Sequence, residues 1–283
     1  MRLSLLWAAG AVPLLFATSA EAQRITPIEG SRSVSASISA VDAVTHVVDS
    51  DSRRTEAFAP FNESLLLDAN TQYEGSPSRV HAKGHGYQFS RITDQRIEAS
   101  VNASAEGLAD DSSARGQGMG NTDMYLTFEL NRRARYLLTA EARATLTAST
   151  SGQPLGGVSS LLHIANLESG TPVLSFDISA GEEASVSQQL GWMPAGPYTF
   201  QGDVSALVDA RGQGHARGTG SWSVDLRLYC AADFNVNGVV DVMDGAFFDI
   251  YWNGGRAEAD IDGNGVVNRA DYDVFLLAYG RGC

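Results

Sequence analysis

Apolar and polar residues alternate through most of this chain. SVSASISAV (33–41), RIEASVNASA (96–105), MYLTFEL (124–130) and YLLTAEARATLTA (136–148) all keep a period of two, as do VLSFDI (173–178), YTFQGDVSALV (198–208) and WSVDLRL (222–228). Gly, Ser, Asn and Asp separate these runs. A period of two with frequent turn residues predicts half-buried antiparallel strands. The expected architecture is mainly β: an antiparallel β-sandwich, jelly-roll-like, over residues 23–229. One stretch, ESLLLDANTQ (63–72), reads instead as a short helix. ARGQG occurs twice, at 114–118 and 210–214, and predicts two similar hairpins with Arg115 and Arg211 at their tips.

The pattern changes after Tyr229. ADFNVNGVVDVMDGAFFDIYWNGG, from Ala232, aligns with ADIDGNGVVNRADYDVFLLAYGRG, from Ala259, at an offset of 27 residues. Asp233, Asn235, Asn237, Asp241 and Asp244 then meet Asp260, Asp262, Asn264, Asn268 and Asp271. These are the first, third, fifth, ninth and twelfth positions of an EF-hand-type loop, and Gly238 and Gly265 fill the sixth, where the chain must turn sharply. The seventh position offers a carbonyl, from Val239 and Val266. Calcium takes six to eight oxygens in a flexible cage, and an oxygen-only set disfavours zinc and copper. Each loop brings three carboxylates, so a bound Ca²⁺ leaves about one negative charge. Two Ca²⁺ ions are therefore expected. The run before loop one alternates like a strand, and Gly254-Gly255 precedes loop two, so each unit is a loop followed by one helix, near 241–252 and 268–279. Phe247, Phe248, Trp252, Phe275, Leu276 and Tyr279 are the candidate core of this segment.

Charge and composition narrow the partners. The 283 residues carry a net charge of −13 and 43% hydrophobic residues, enough for a real core and a poor match to nucleic acid. The N-terminus, MRLSLLWAAGAVPLLFATSAEAQ, has a charged start, an apolar run from Leu5 to Phe16 too short to span a bilayer, and an A-x-A site at Ala20–Ala22. Residues 1–22 read as a signal peptide, so the protein is expected to be secreted, with no membrane span in the mature chain. An exported protein can oxidise its two cysteines, Cys230 and Cys283, which flank the acidic repeat. A bridge between them would close a loop of about 53 residues, worth at most about 4 kcal/mol.

Tandem twelve-residue loops, each ending on Asp and each followed by one helix, resemble a type I dockerin. The flanking cysteines and terminal Gly282-Cys283 are similar to those of the GC-type dockerins of exported bacterial proteins. The resemblance covers about residues 230–283. It implies a small all-α module that binds a cohesin-like domain on a scaffold or cell surface. Val242, Met243, Arg269 and Ala270, where the helices start, are the implied partner-binding positions. Asn237 and Val236 depart from the family pattern, which has Asp and a small residue there.

The middle region carries no comparable motif. His81 and His85 share a face of a strand, with no third ligand in view, and His163 reads as a packed histidine. There is no G-x-S-x-G elbow, H-E-x-x-H or P-loop. A catalytic carboxylate pair would leave no local signature. Three roles stay open for residues 23–229: a module for surface, adhesion or carbohydrate binding, a polysaccharide-degrading enzyme, or a structural part of a cell-surface assembly.

Overall fold

The computed structural model describes residues 24–42, 44–72, 79–149 and 155–281. The proposed signal peptide and Cys283 lie outside them. Among the described residues, twelve strands form two antiparallel sheets of six, and two helices follow. The first sheet runs, edge to edge, β2 (His46–Thr55), β1 (Ile25–Val41), β6 (Arg115–Leu130), β11 (Gly196–Arg211), β8 (Leu155–Asn166) and β9 (Pro172–Ser179). The second runs β10 (Glu183–Met193), β7 (Ala134–Ala148), β12 (His215–Tyr229), β5 (Arg96–Ala109), β4 (Arg79–Thr93) and β3 (Phe61–Gln72). The sheets face each other across a common core, because every alternating run buries one face and leaves the other half-exposed. No helix among the described residues is long and apolar enough to cross a membrane.

The segment ESLLLDANTQ is strand, not helix. It lies within β3, paired with β4 from Phe61↔Ser90 to Gln72↔Arg79. Its three consecutive leucines follow no helical period, and cross-strand pairing decides the outcome: Leu65 turns inward and Leu66 outward. The two ARGQG segments are not hairpin tips either. One leads from β5 into β6 and the other from β11 into β12, and each of these connections crosses from one sheet to the other. The crossing brings Arg115 and Arg211 directly opposite each other. Like charges in that position repel. Asp209 offsets them: Arg115 donates to both its carboxylate oxygens at 2.8 Å, and Arg211 donates to Oδ2 at 3.0 and 2.6 Å. Burial alone would raise the Asp209 carboxyl, but the arginine bonds hold it below its ordinary value. The same device recurs where Arg96 and Arg227 face each other across Asp225.

The core is a wedge. At one end it holds Phe128, Tyr198, Phe200 and Trp222, with the Phe128 and Tyr198 rings stacked at 5.5 Å. At the other end the facing residues shrink to Ala82, Ala105, Ala109, Ala206 and a set of glycines. There the sheets meet backbone to backbone, closer than the usual spacing of about 10 Å between packed sheets. A Cβ added at Gly116, Gly118 or Gly120 of β6 would strike the carbonyl oxygens of His81, Lys83 or His85 on the opposite sheet. One at Gly84 would lie 2.7 Å from the Ser37 carbonyl oxygen. Glycine is required at these positions by close approach alone.

Gly118→Ala should therefore destabilise the fold by about 2–3 kcal/mol, because the neighbour is backbone and cannot swing aside. Gly157→Ala, where an added Cβ meets nothing within 4 Å, should be neutral or slightly stabilising. Denaturant melts of the two variants check this, and equal effects would contradict the close-approach account.

Candidate metal centre

The acidic repeat folds as two similar loops, 233–244 and 260–271. Each leads into a helix, α1 (Val242–Asn253) and α2 (Arg269–Arg281), and a short 3-10 turn, Ala257–Ala259, precedes the second loop. The segment is thus two short helices and their loops rather than a fully helical module. At its centre Phe248 and Phe275, equivalent in the repeat, stack with ring centroids 4.0 Å apart. Ala232, Phe234, Ala259 and Ile261 complete the buried cluster. Trp252 and Tyr279 pack against it as expected, but Phe247 and Leu276 face solvent. The missed core residues, Phe234 and Ile261, occupy the second position of each loop. The repeat itself was the signal that could have found them.

The backbone of each loop curls inward around its acids. Positive φ angles fall at the fourth and sixth positions of both: Val236 at 53°, Gly238 at 88°, Gly263 at 80° and Gly265 at 85°. In loop one Asp233 accepts from the N–H groups of Asn237 and Gly238 at 3.1 and 2.8 Å. In loop two Asp260 accepts from Gly263 and Gly265 at 2.9 and 3.0 Å. Asn235 and Asn237, like Asp262 and Asn264, accept from the N–H two residues on. The twelfth residues reach back across each loop. Asp244 accepts from Asn235 and Asp241 N–H at 2.9 and 2.8 Å, and Asp271 from Asp262 and Asn268 N–H at 3.1 and 2.8 Å. Both are 0% exposed. Asp241 and Asn268 also cap their helices, accepting from the Met243 and Ala270 N–H groups.

This arrangement brings the acids together. One oxygen each of Asp260, Asp262 and Asp271 lies within 4.8 Å of the others. In loop one burial raises the Asp233 carboxyl above its ordinary value, and Asp244 adds to the rise. Among the described residues, the loop-two group is the set of acids whose oxygens gather closely enough to hold a metal ion. Of the remaining expected ligands, the Val266 carbonyl accepts from the Asn268 amide at 3.0 Å, while Val239 is exposed beside its loop. Cys230 is disulfide-bonded, and Cys283 lies outside the described residues. Val242 and Met243 stand out at 76% and 52% exposure, and Arg269 and Ala270 are exposed at the equivalent place.

The loops also touch the sandwich, through residues that nothing in the sequence pointed to. Arg133 donates to the Ile261 carbonyl at 2.9 Å, Arg135 to the Phe234 carbonyl at 2.8 Å, and Trp192 Nε1 to the Glu258 carbonyl at 3.2 Å. Elsewhere on the sandwich His81 meets Asp68 at 2.9 Å and His85 meets Ser64 at 3.1 Å, each on its own partner. His163 is only half-buried, on the outer face of β8 between the inward Leu162 and Ile164. A pair of acids that sequence reasoning did not find, Asp123 and Asp203, stands directly opposite on β6 and β11. Burial, then the charge of Asp123, raises the Asp203 carboxyl, and Ser33 donates to Asp123 at 3.0 Å. Compared with known proteins, the chain matches no family model and no curated protein.

Val236 is a β-branched residue in the left-handed region, a strain of about 1–3 kcal/mol, where loop two has glycine. Val236→Gly should stabilise the segment by about 1 kcal/mol. Thermal melts read the effect; a lower melting temperature would contradict this view of the loop.

Proposed function

We propose that this is a secreted protein whose C-terminal segment, residues 230–283, is a dockerin-like module that binds two Ca²⁺ ions and, through them, a cohesin-like partner. Asp233, Asn235, Asn237, Val239, Asp241 and Asp244 would hold one ion, and Asp260, Asp262, Asn264, Val266, Asn268 and Asp271 the other. The ion supplies charge neutralisation that fixes each loop against its helix. The residues of the chain do the rest: Asp241 and Asn268 start the helices, and the helices present their outer faces. A Cys230–Cys283 disulfide would staple the two ends of the module.

One observation carries the partner reading. Met243, Phe247 and Ile250 form an exposed apolar stripe along α1, and Ala270, Val274 and Leu277 form its repeat equivalent along α2. Their spacing puts each set on one side of its helix. An apolar stripe exposed along a helix is the kind of face a partner would cover. The two differ in chemistry, with Val242-Met243 at the start of one and Arg269-Ala270 at the start of the other, so the partner has a preferred orientation.

The sandwich, residues 23–229, is the cargo. Its last eight strands run β5-β12-β7-β10 against β6-β11-β8-β9, the order of a jelly roll, with β1–β4 widening both sheets. A groove at the β1–β2 edge joins Phe58 and Tyr125 to Glu29, Arg54 and Glu56. Aromatic faces beside charged groups favour surface, adhesion or carbohydrate binding. A second reading, a polysaccharide-degrading glycoside hydrolase or lyase, is favoured by Asp123 and Asp203. Burial and the neighbouring Asp123 push the Asp203 carboxyl up, and a raised carboxyl facing a second one is an arrangement acid–base hydrolases use. A purely structural cell-surface role is the remaining alternative.

Full-length protein should bind immobilised cohesin domains in calcium and release them in EDTA, and Met243→Asp with Phe247→Asp should weaken that binding at least tenfold. Binding that ignores EDTA, or no binding across a panel of cohesins, would overturn the module reading. Incubation with insoluble and soluble polysaccharides separates the cargo readings. Sugar release that is lost in Asp203→Asn makes the sandwich an enzyme, and retention on a glycan without release makes it a binding module.

A further inference from the structure

The sandwich addresses the two acidic loops in the same way. Arg133, just before β7, and Arg135, within it, are two residues apart and reach the same side. The carbonyls they bond, Ile261 and Phe234, are the second residues of their loops and coincide under the repeat. Trp192, paired with Arg135 in register, lies beneath both guanidinium groups, 4.8 Å from Arg133 and 5.4 Å from Arg135. Burial is the main influence on both guanidinium groups and lowers their pKa, and nearby acids oppose it: Asp260, Asp262 and Asp271 for Arg133, and Asp233, Glu258 and Asp244, with Tyr251, for Arg135. Arg133 fits so closely against loop two that a Cβ at Gly263 would lie 3.0 Å from its Cζ. Arg135 is 4% exposed and lies over the Phe234 ring at 4.2 Å.

We propose that Arg133 and Arg135 make the sandwich a built-in counter-ion for the two loops, so that docking of the C-terminal segment and calcium binding weaken each other. The inference rests on the calcium reading of the loops. A guanidinium beside three carboxylates offsets their repulsion when calcium is scarce and holds the segment against the second sheet. A calcium ion entering the same loop meets that positive charge at short range. Coupling between two binding events is reciprocal, so whatever calcium loses to the arginine, docking loses to calcium. The helical stripes are exposed while the segment is docked. Calcium therefore changes how firmly the segment is held to its cargo, and the partner face stays open in both states.

The test uses the full chain, native and with Arg133→Gln and Arg135→Gln together, titrated with calcium by calorimetry at low and at high salt. The variant should bind calcium roughly three- to tenfold more tightly at low salt, a gain that shrinks as salt screens the charge. Arg133→Gln alone should shift one of the two sites. Arg133→Lys with Arg135→Lys keeps the charges and should stay near native affinity. In parallel, calcium should speed proteolysis of the native connection at 229–232, a readout that needs no glutamine variant. Calcium binding by the native chain with no tightening in a folded glutamine variant, or native proteolysis indifferent to calcium, would overturn the proposal and leave the calcium reading intact. A native chain that binds no calcium would overturn both.

Discussion

Six aspartates crowd two short loops, and the C-terminal segment depends on how their mutual repulsion is met. Part of the answer is built into the backbone. Turns at the fourth and sixth positions point N–H groups at the first acid, and the twelfth acid is buried under further N–H groups, two for Asp244 and three for Asp271. Hydrogen bonds of this kind offset part of the charge on the acceptor oxygens. They also fix the start of each helix, because the ninth residue is at once a loop member and the helix cap. The stacked Phe248 and Phe275 join the two units along the axis of their repeat.

The sandwich meets this segment at the thick end of its wedge. Glycine and alanine close one end of the core to backbone contact, while Phe128, Tyr198 and Trp222 hold the other end open. Strand β12 delivers the chain to Cys230 at that wide end. Arg133, Arg135 and Trp192 wait there. The outer face of β7 is largely exposed beyond Arg135, which is buried where Trp192 and loop one meet it. A buried guanidinium is costly without partners. Here the partners are a carbonyl, two aromatic faces and a field of carboxylates.

Much of this was legible in the chain. Alternation marked most of the strands, since sheet burial has a period of two. The 27-residue offset located both loops, both helices and the acids at the twelfth positions, because a repeat tests every position twice. Apart from Phe234 and Ile261, which the repeat could have shown, what escaped had no local cause. The leucines of β3 read as helix because propensity cannot see the β4 pairing. Phe247 and Leu276 read as core because size says nothing about which side of a short helix turns inward. Asp209, Asp203 and the arginines acquire their meaning from strands far apart in sequence. Trp192, which lies under the loops, sits about forty residues before them.

The most direct measurement is a calcium titration of the full chain by calorimetry, followed in parallel by near-ultraviolet dichroism of the aromatic cluster around Phe248 and Trp252. The account requires two ions per chain, with the aromatic signal changing as they bind, and a single ion when Asp260 and Asp271 are replaced by alanine. Heat and dichroism that do not change with calcium would contradict it, and the acids would then be no more than backbone caps.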